Sequence, residues 1–472
     1  MRFLGAGGQN GRLMVSSIWT LAWPTVLEQA LQTAETYVDT AMVGRLGAGA
    51  SAAVGLTTTS TWLINSPMFA LSIGVLSCIA KADGAGNPKK VRTAAAQSVW
   101  LTLLSGAVLG VAGMALSPVL PIWLGVQPEI YRDAYLYFFI TSMPMLMRAA
   151  MILFGGVLRA VGNTRSPLIV NVIANLINIV LNALLIYHPT KLAGGLVFPG
   201  LGLGVAGSAA ATAIAQACGG ILMFAAFCRD ERLTPRGFGL RINRGVMKEC
   251  VRVALPIAGG RVSACFGQVL FTGLVSRLGT LALATHTIAL AAEEAFYVPG
   301  YGMQTAASTL AGNAAGEGSK RALRRSSLTI TALAVGMMGG MSLFLFLFPS
   351  HVMRIFTRNA DVVNQGAVLL RMIALSEPMF AVAIIMEGVF NGLGDTRAPL
   401  FFSIFCMWGV RIGGTVFCVR LLGLGLVAVW GCMIGDNVTR CVLLSVRFAR
   451  GSWEKCFNRP CNAPDESGLD AA

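Results

Sequence analysis

Only 12% of this 472-residue chain is charged, about half the roughly 25% of an ordinary soluble domain, while 55% is apolar and the mean hydropathy is +0.69. That balance excludes a large soluble enzyme or binding domain and describes an integral membrane protein. The net charge of +15 is not a nucleic-acid signal, because the basic residues gather in alternate connections between apolar runs.

Runs of about 20 to 28 residues, the length of a membrane-crossing helix, number twelve. They centre near residues 28, 65, 105, 147, 178, 215, 264, 297, 338, 382, 410 and 435. The first is too long and too acidic for a cleaved signal peptide, so the N-terminus is expected to be retained. Most of the 36 Lys and Arg fall at the termini and in the even-numbered connections, which predicts a multi-pass protein of the cell inner membrane with both termini cytoplasmic.

The first run, ending in ETYVDTAMVGRLG, holds Glu28, Glu35 and Asp39. At 100° per residue these three lie within about 40° of one another on a helix. An ionisable group in the bilayer core costs at least about 2.5 kcal/mol on insertion scales, so a stripe of acids needs a reason. Burial and like-charged neighbours both favour protonation of a carboxylate, which suits a cation-coupling site. The structural alternative is hydration of Glu35 and Asp39 at the interface.

In the fifth run Asn171, Asn175, Asn178 and Asn182 follow i, i+4, i+7, i+11 and share one face. They suit either a polar network with the first-run acids or hydrogen bonding between helices. Farther on, the eighth run carries Glu293 and Glu294, and Arg148, Arg261 and Arg411 fall inside apolar runs. These arginines either pair with acids between helices or, for Arg261 and Arg411, meet an anionic or zwitterionic substrate. Asp436 and Arg440 have the spacing of an intrahelical ion pair. Pro24, Pro67, Pro144, Pro256, Pro299 and Pro378 permit bends, with Pro24 the hinge candidate. Eleven Cys and three His show no metal-ligand or disulfide spacing, so neither a metal site, a cofactor nor a catalytic nucleophile is expected.

The chain also repeats itself. At one constant offset Pro24 matches Pro256, Arg45-Leu46-Gly47 matches Arg277-Leu278-Gly279, Gly84-Ala85-Gly86 matches Gly316-Glu317-Gly318, and GGVLRAVGNTRSP matches EGVFNGLGDTRAP. Beyond an insertion that includes HPTKLAGGLVF the offset shortens, and LGLGVAGS answers LGLGLVAV. Two parallel halves of six helices follow, residues 1–235 and 236–472, joined by a basic cytoplasmic linker at 228–252. Phe271 stands where the repeat places Asp39, so the second half lacks the first half's acid. Such repeats are typical of alternating-access transporters.

Proline followed by VDTAMVGRLG, the paired GNTRSP and GDTRAP turns, YVPGYG and AGNAAGEG together resemble the multidrug and toxic compound extrusion (MATE) family over residues 12–448. The resemblance implies an all-α polytopic fold, twelve transmembrane helices in two pseudo-symmetric six-helix bundles forming a V. It implies an antiporter, not an enzyme, that exports a small organic compound against inward H⁺ or Na⁺ and acts as a monomer in the lipid bilayer. Asp39 falls on the family's first-lobe aspartate, and Glu293 matches a glutamate that many prokaryotic members carry in helix eight. Asn175 or Asn178 would join Asp39 where the proton-linked branch pairs an asparagine and an aspartate. The cation-coupling set expected is thus Asp39, Glu35, Asn175, Asn178 and Glu293. Glu28, Arg261, Arg411, Glu294 and Tyr301 are expected to line the substrate cavity. A lipid-linked-sugar flippase of related architecture is the alternative.

Overall fold

Backbone that crosses hydrocarbon must satisfy its own hydrogen bonds, so apolar runs of this length fold as helices. The computed structural model describes residues 11–191, 197–198, 200–234 and 242–457. Its long helices in chain order are α1 (Gly11–Gly44), α2 (Ala48–Gly84), α3 (Pro88–Leu116), α4 in two limbs (Pro128–Ser142 and Met145–Ala160), α5 (Arg165–Ile186), α6 (Gly204–Arg229), α7 (Arg244–Ser276), α8 (Thr280–Gly316), α9 (Lys320–Leu347), α10 (Ala360–Gly392), α11 (Arg397–Leu421) and α12 (Leu426–Ala449). The only strands among the described residues are two-residue segments, Thr190–Lys191 paired with Val197–Phe198.

Nine of these helices are long and apolar enough to cross a membrane, and the bent pair that forms α4 makes a tenth. The remaining two of the twelve are α1 and α8, the helices that carry Glu28, Glu35, Asp39, Glu293 and Glu294. Polar content, acids included, is what separates them from the rest. The limbs of α4 meet at 51° beside Pro144, whose ring removes a backbone donor. By contrast α1, α2, α7, α8 and α10 run unbroken through their prolines. An unexpected feature is that α11 is π-wound over Phe405–Gly413 and Phe417–Leu421.

Contacts divide the chain into two compact units: residues 30–79 with 88–251, and residues 1–29 and 80–87 with 252–472. This division differs from the halves of the repeat in assigning the first part of α1 and the end of α2 to the second unit, and the start of α7, up to Val251, to the first. That unit's core joins Met14, Ile18 and Leu21 of α1 to Met303 and Leu310 of α8, Ile384 and Phe390 of α10, and Leu444 of α12.

Within the units the repeat is visible as geometry. Gly162 and Gly394 close matching turns with φ of 82° and 70°, a left-handed backbone that favours glycine. In the first unit a Cβ on Gly156 would strike Ser72, and in the second a Cβ on Gly388 would strike Gln304, the repeat mate of Ser72.

The basic segment 228–252 runs from the last residues of α6 into the first turns of α7. Asn243 Oδ1 accepts the Val246 N–H at 3.1 Å and its own N–H donates to the buried Gln97 at 3.1 Å, which starts α7 at Arg244. Lys90, 4% exposed, then pairs with Glu249 at 3.2 Å. Residues 244–252 are therefore helix, held by α3. Residues 235–241 of that segment lie outside the described residues, as do part of the insertion and both termini.

Candidate functional site

In the first unit the second half of α1 presents Glu35 and Asp39, both half-buried. The asparagine face of α5 meets them. Asn182, fully buried, donates from Nδ2 to Asp39 Oδ1 at 2.6 Å and to Asn178 Oδ1 at 2.9 Å. Asn178 Nδ2 passes the chain on to Thr212 Oγ1 of α6 at 3.2 Å. A second branch starts one turn earlier: with its nitrogen turned toward acceptors, Asn175 donates to Glu35 Oε2 at 2.7 Å and to the Asn171 carbonyl at 3.1 Å. Two carboxylates thus each hold one amide donor from one helix face.

Within that face the rungs divide the work: Asn182 bonds Asp39 directly, Asn178 is one bond removed, and Asn175 serves Glu35. Two further residues complete the cluster, Arg148 and Tyr137 on the two limbs of α4. Arg148 lies in the electrostatic field of Glu35, and Tyr137 in the fields of Asp39, Glu35 and Arg148. Arg148 supplies a positive charge to a pair of acids that α1 holds four residues apart. Asn182 Oδ1 is buried with no hydrogen-bond partner among the described residues, leaving one oxygen ligand free beside Asp39. Glu28, 4% exposed, belongs to the second unit.

In the second unit α8, α10, α11 and α12 enclose another set of charges. Glu293 and Glu377 are both buried; Glu377 lies in the electrostatic field of Glu293, and Arg411 and Glu294 act on Glu293. Both oxygens of Glu377 and one of Glu293 lack hydrogen-bond partners among the described residues. Asp436, 0% exposed, is held from both sides: Arg440 Nη2 donates at 3.1 Å and Arg411 Nε lies 2.8 Å away as an ion pair without hydrogen-bond alignment. The intrahelical pair is therefore real, and Arg411 is tied to an acid on a neighbouring helix.

Arg411 also lies 5.6 Å from the ring centre of Phe271. Phe271 is buried edge-on against His286, whose Nδ1 accepts from Trp430 Nε1 at 3.1 Å. The repeat mate of Asp39 is thus part of an aromatic core. Glu294 and Tyr301 are exposed, and Tyr301 feels Arg261, Glu294, Glu387 and Arg440. Of the expected cavity residues in this unit, Arg261, Glu294 and Tyr301 share a neighbourhood, while Arg411 sits in the ion pair. Pro24 is buried in α1, next to Thr25, which donates to the Gly302 carbonyl of α8 at 2.8 Å. A cavity of about 650 Å³ lined by Arg92, Cys228, Arg229, Glu231 and Thr234 contains none of the expected site residues.

Glu377 and Tyr137 are the residues that sequence reasoning missed. A signal existed for Glu377, an acid just ahead of a mid-helix proline; for Tyr137 none did, because an uncharged aromatic at the edge of an apolar run does not stand out.

Comparison with known proteins adds a second line. The MatE family model matches residues 24–184 and 256–417, once in each half. A probable multidrug resistance protein NorM of Thermotoga maritima is 30% identical over 440 residues, 92% of each chain. An uncharacterized transporter YisQ of Bacillus subtilis is 23% identical, covering 93% of this chain and 94% of its own. Among solved structures, a crystal structure of MATE in the straight conformation superposes with a TM-score of 0.84 at 24% identity, covering 93% and 96% of the two chains. A MATE in the bent conformation gives 0.84 at 23%, covering 94% and 97%.

Proposed function

Because the chain belongs to the MATE family of membrane transporters, we propose that it is a secondary antiporter, exporting a drug, toxin or metabolite in exchange for inward H⁺, with Asp39 as the main proton acceptor. The observation that carries this reading is the buried amide chain ending on Asp39. An ionised Asp39 is stabilised by the charge-assisted bond from Asn182, and a protonated Asp39 loses that assistance. Proton uptake therefore weakens the hold of α5 on α1 at one defined point. The second half of α1 then repacks, and the change in packing is what a bound substrate competes with.

Glu35 is the second acid of the same branch, balanced by Arg148 and oriented by Asn175. Glu293 provides a cation contact in the C-terminal half, residues 236–472, and Asn178 relays the network in the N-terminal half, residues 1–235. Glu28, Arg261, Glu294 and Tyr301 contact the organic substrate, Arg411 contributes through its ion pair, and Pro24 is the hinge. The names of the relatives support a multidrug substrate range. The charge bias of the connections supports an inner-membrane protein with cytoplasmic termini, and on this reading it works as a monomer.

Na⁺ coupling is the second reading, favoured by one observation. The unpartnered Asn182 Oδ1 beside Asp39 supplies the kind of hard oxygen ligand an alkali cation takes. Uptake by everted vesicles under an imposed proton gradient, with and without Na⁺, separates the two. H⁺-driven uptake in Na⁺-free medium is expected, and Asp39→Asn is expected to abolish it. Uptake that persists in Asp39→Asn at the wild-type rate would overturn both readings.

A further inference from the structure

Cys418 lies in the π-wound end of α11 and Cys432 in the second turn of α12, on either side of the short turn at residues 422–425. Their Sγ atoms are 3.8 Å apart and both side chains are half-buried. Gly414 makes room for the contact, since a Cβ there would come within 3.1 Å of Cys432 Sγ. A disulfide bond is about 2.0 Å long, so closing this gap takes side-chain rotation at the ends of two helices already joined by a tight turn. No group of three or more metal-ligating side chains occurs among the described residues, which leaves a two-thiol site with redox chemistry open to it.

We infer that Cys418 and Cys432 form a redox modification site, closed to a disulfide by a thiol–disulfide oxidoreductase on the outer side of the membrane. The turn at residues 422–425 carries no Lys or Arg and is an odd-numbered connection; the inference rests on the cytoplasmic-termini orientation that places it outside. One cysteine thiolate attacks the donor's disulfide and releases a donor thiolate. The other cysteine attacks the mixed disulfide and releases the second. The two cysteines lose two electrons and two protons, and the donor leaves as a dithiol. The bond staples α11 to α12 one turn from Asp436, and it holds α11 where Arg411 reaches that acid. Reduction releases the staple and loosens the ion pair.

The test is thiol trapping in unreduced native membranes with a maleimide, followed by peptide mapping. Expected is a cross-linked 418–432 species with neither thiol alkylated, and alkylation of both after reductant. Cys418→Ser should leave Cys432 alkylated and lower the thermal midpoint as much as reductant lowers that of the native chain; Cys218→Ser should leave the cross-link intact. Free, alkylated thiols in native membranes overturn the inference, and treating purified protein with dipyridyl disulfide identifies the cause. Failure to cross-link there locates the error in the geometry. Cross-linking there, with membrane-impermeant maleimide labelling both thiols only from the cytoplasmic side, locates it in the orientation and leaves H⁺-driven uptake to be judged on its own.

Discussion

Asn182 Nδ2 donates to Asp39 Oδ1 across 2.6 Å while its other hydrogen reaches Asn178 Oδ1 at 2.9 Å. One buried amide therefore positions the acid and is itself positioned from the next turn of its helix. Hydrogen bonds to a charged group are worth roughly 1.5 to 3 kcal/mol, more than the approximately 0.6 kcal/mol average for neutral pairs between membrane helices. Asn182→Ala should slow H⁺-driven uptake by about tenfold or more, taking about 1.4 kcal/mol per decade. Asn178→Ala, one bond away, should slow it less. Equal losses in a side-by-side vesicle assay would show that the chain does not act through Asp39.

Glu35 is held by a separate branch, through Asn175, and shares its surroundings with Arg148. Removing the acid in Glu35→Gln leaves Arg148 without that counter-charge but keeps the Asp39 bond. A partial loss of uptake with the H⁺ requirement retained is expected. Complete loss, matching Asp39→Asn, would make Glu35 an equal partner in proton binding.

The asparagine ladder and the acid stripe were legible in the sequence because helical spacing alone sets which residues share a face. Which rung meets which acid was not, because spacing says nothing of how far one helix is displaced along another; the bond went to Asn182, at the end of the ladder. The same blindness hid Glu377, whose nearness to Glu293 depends on the packing of α8 against α10. Tyr137 was hidden because apolar length was read as one straight run near residue 147, whereas α4 begins at Pro128 and bends. The repeat was legible in far more detail, down to the matched glycine turns, since both copies must solve the same backbone problem.

Asp436 joins two guanidinium groups, Arg440 from its own helix and Arg411 from α11. Removing one member of a buried pair costs about 3 to 5 kcal/mol by leaving a charge uncompensated. Asp436→Asn strands two cations, whereas Arg411→Leu leaves Asp436 still paired with Arg440. Thermal unfolding in detergent should show the larger drop for Asp436→Asn. The reverse order would mean that the cation over Phe271, and not the acid, holds these helices together.

Gly84 and Gly316 are repeat mates that approach each other's segments reciprocally: a Cβ on Gly84 would collide with the backbone of Asn313, and one on Gly316 with the backbone of Lys81, where Asn313 is itself the repeat mate of Lys81. Backbone atoms cannot swing aside as a flexible side chain can, so relief requires the two helix ends to separate. The same junction is tied by Lys81 Nζ, which donates to the Leu393 carbonyl at 2.7 Å. Gly84→Ala and Gly316→Ala should therefore each lower the thermal midpoint, by similar amounts, with overpacking costs of about 1 to 3 kcal/mol. Because both changes open the same contact, the double variant should lose less than the sum of the two. Additive losses would show that the two close approaches are independent and that the pseudo-symmetry has no energetic meaning at this junction.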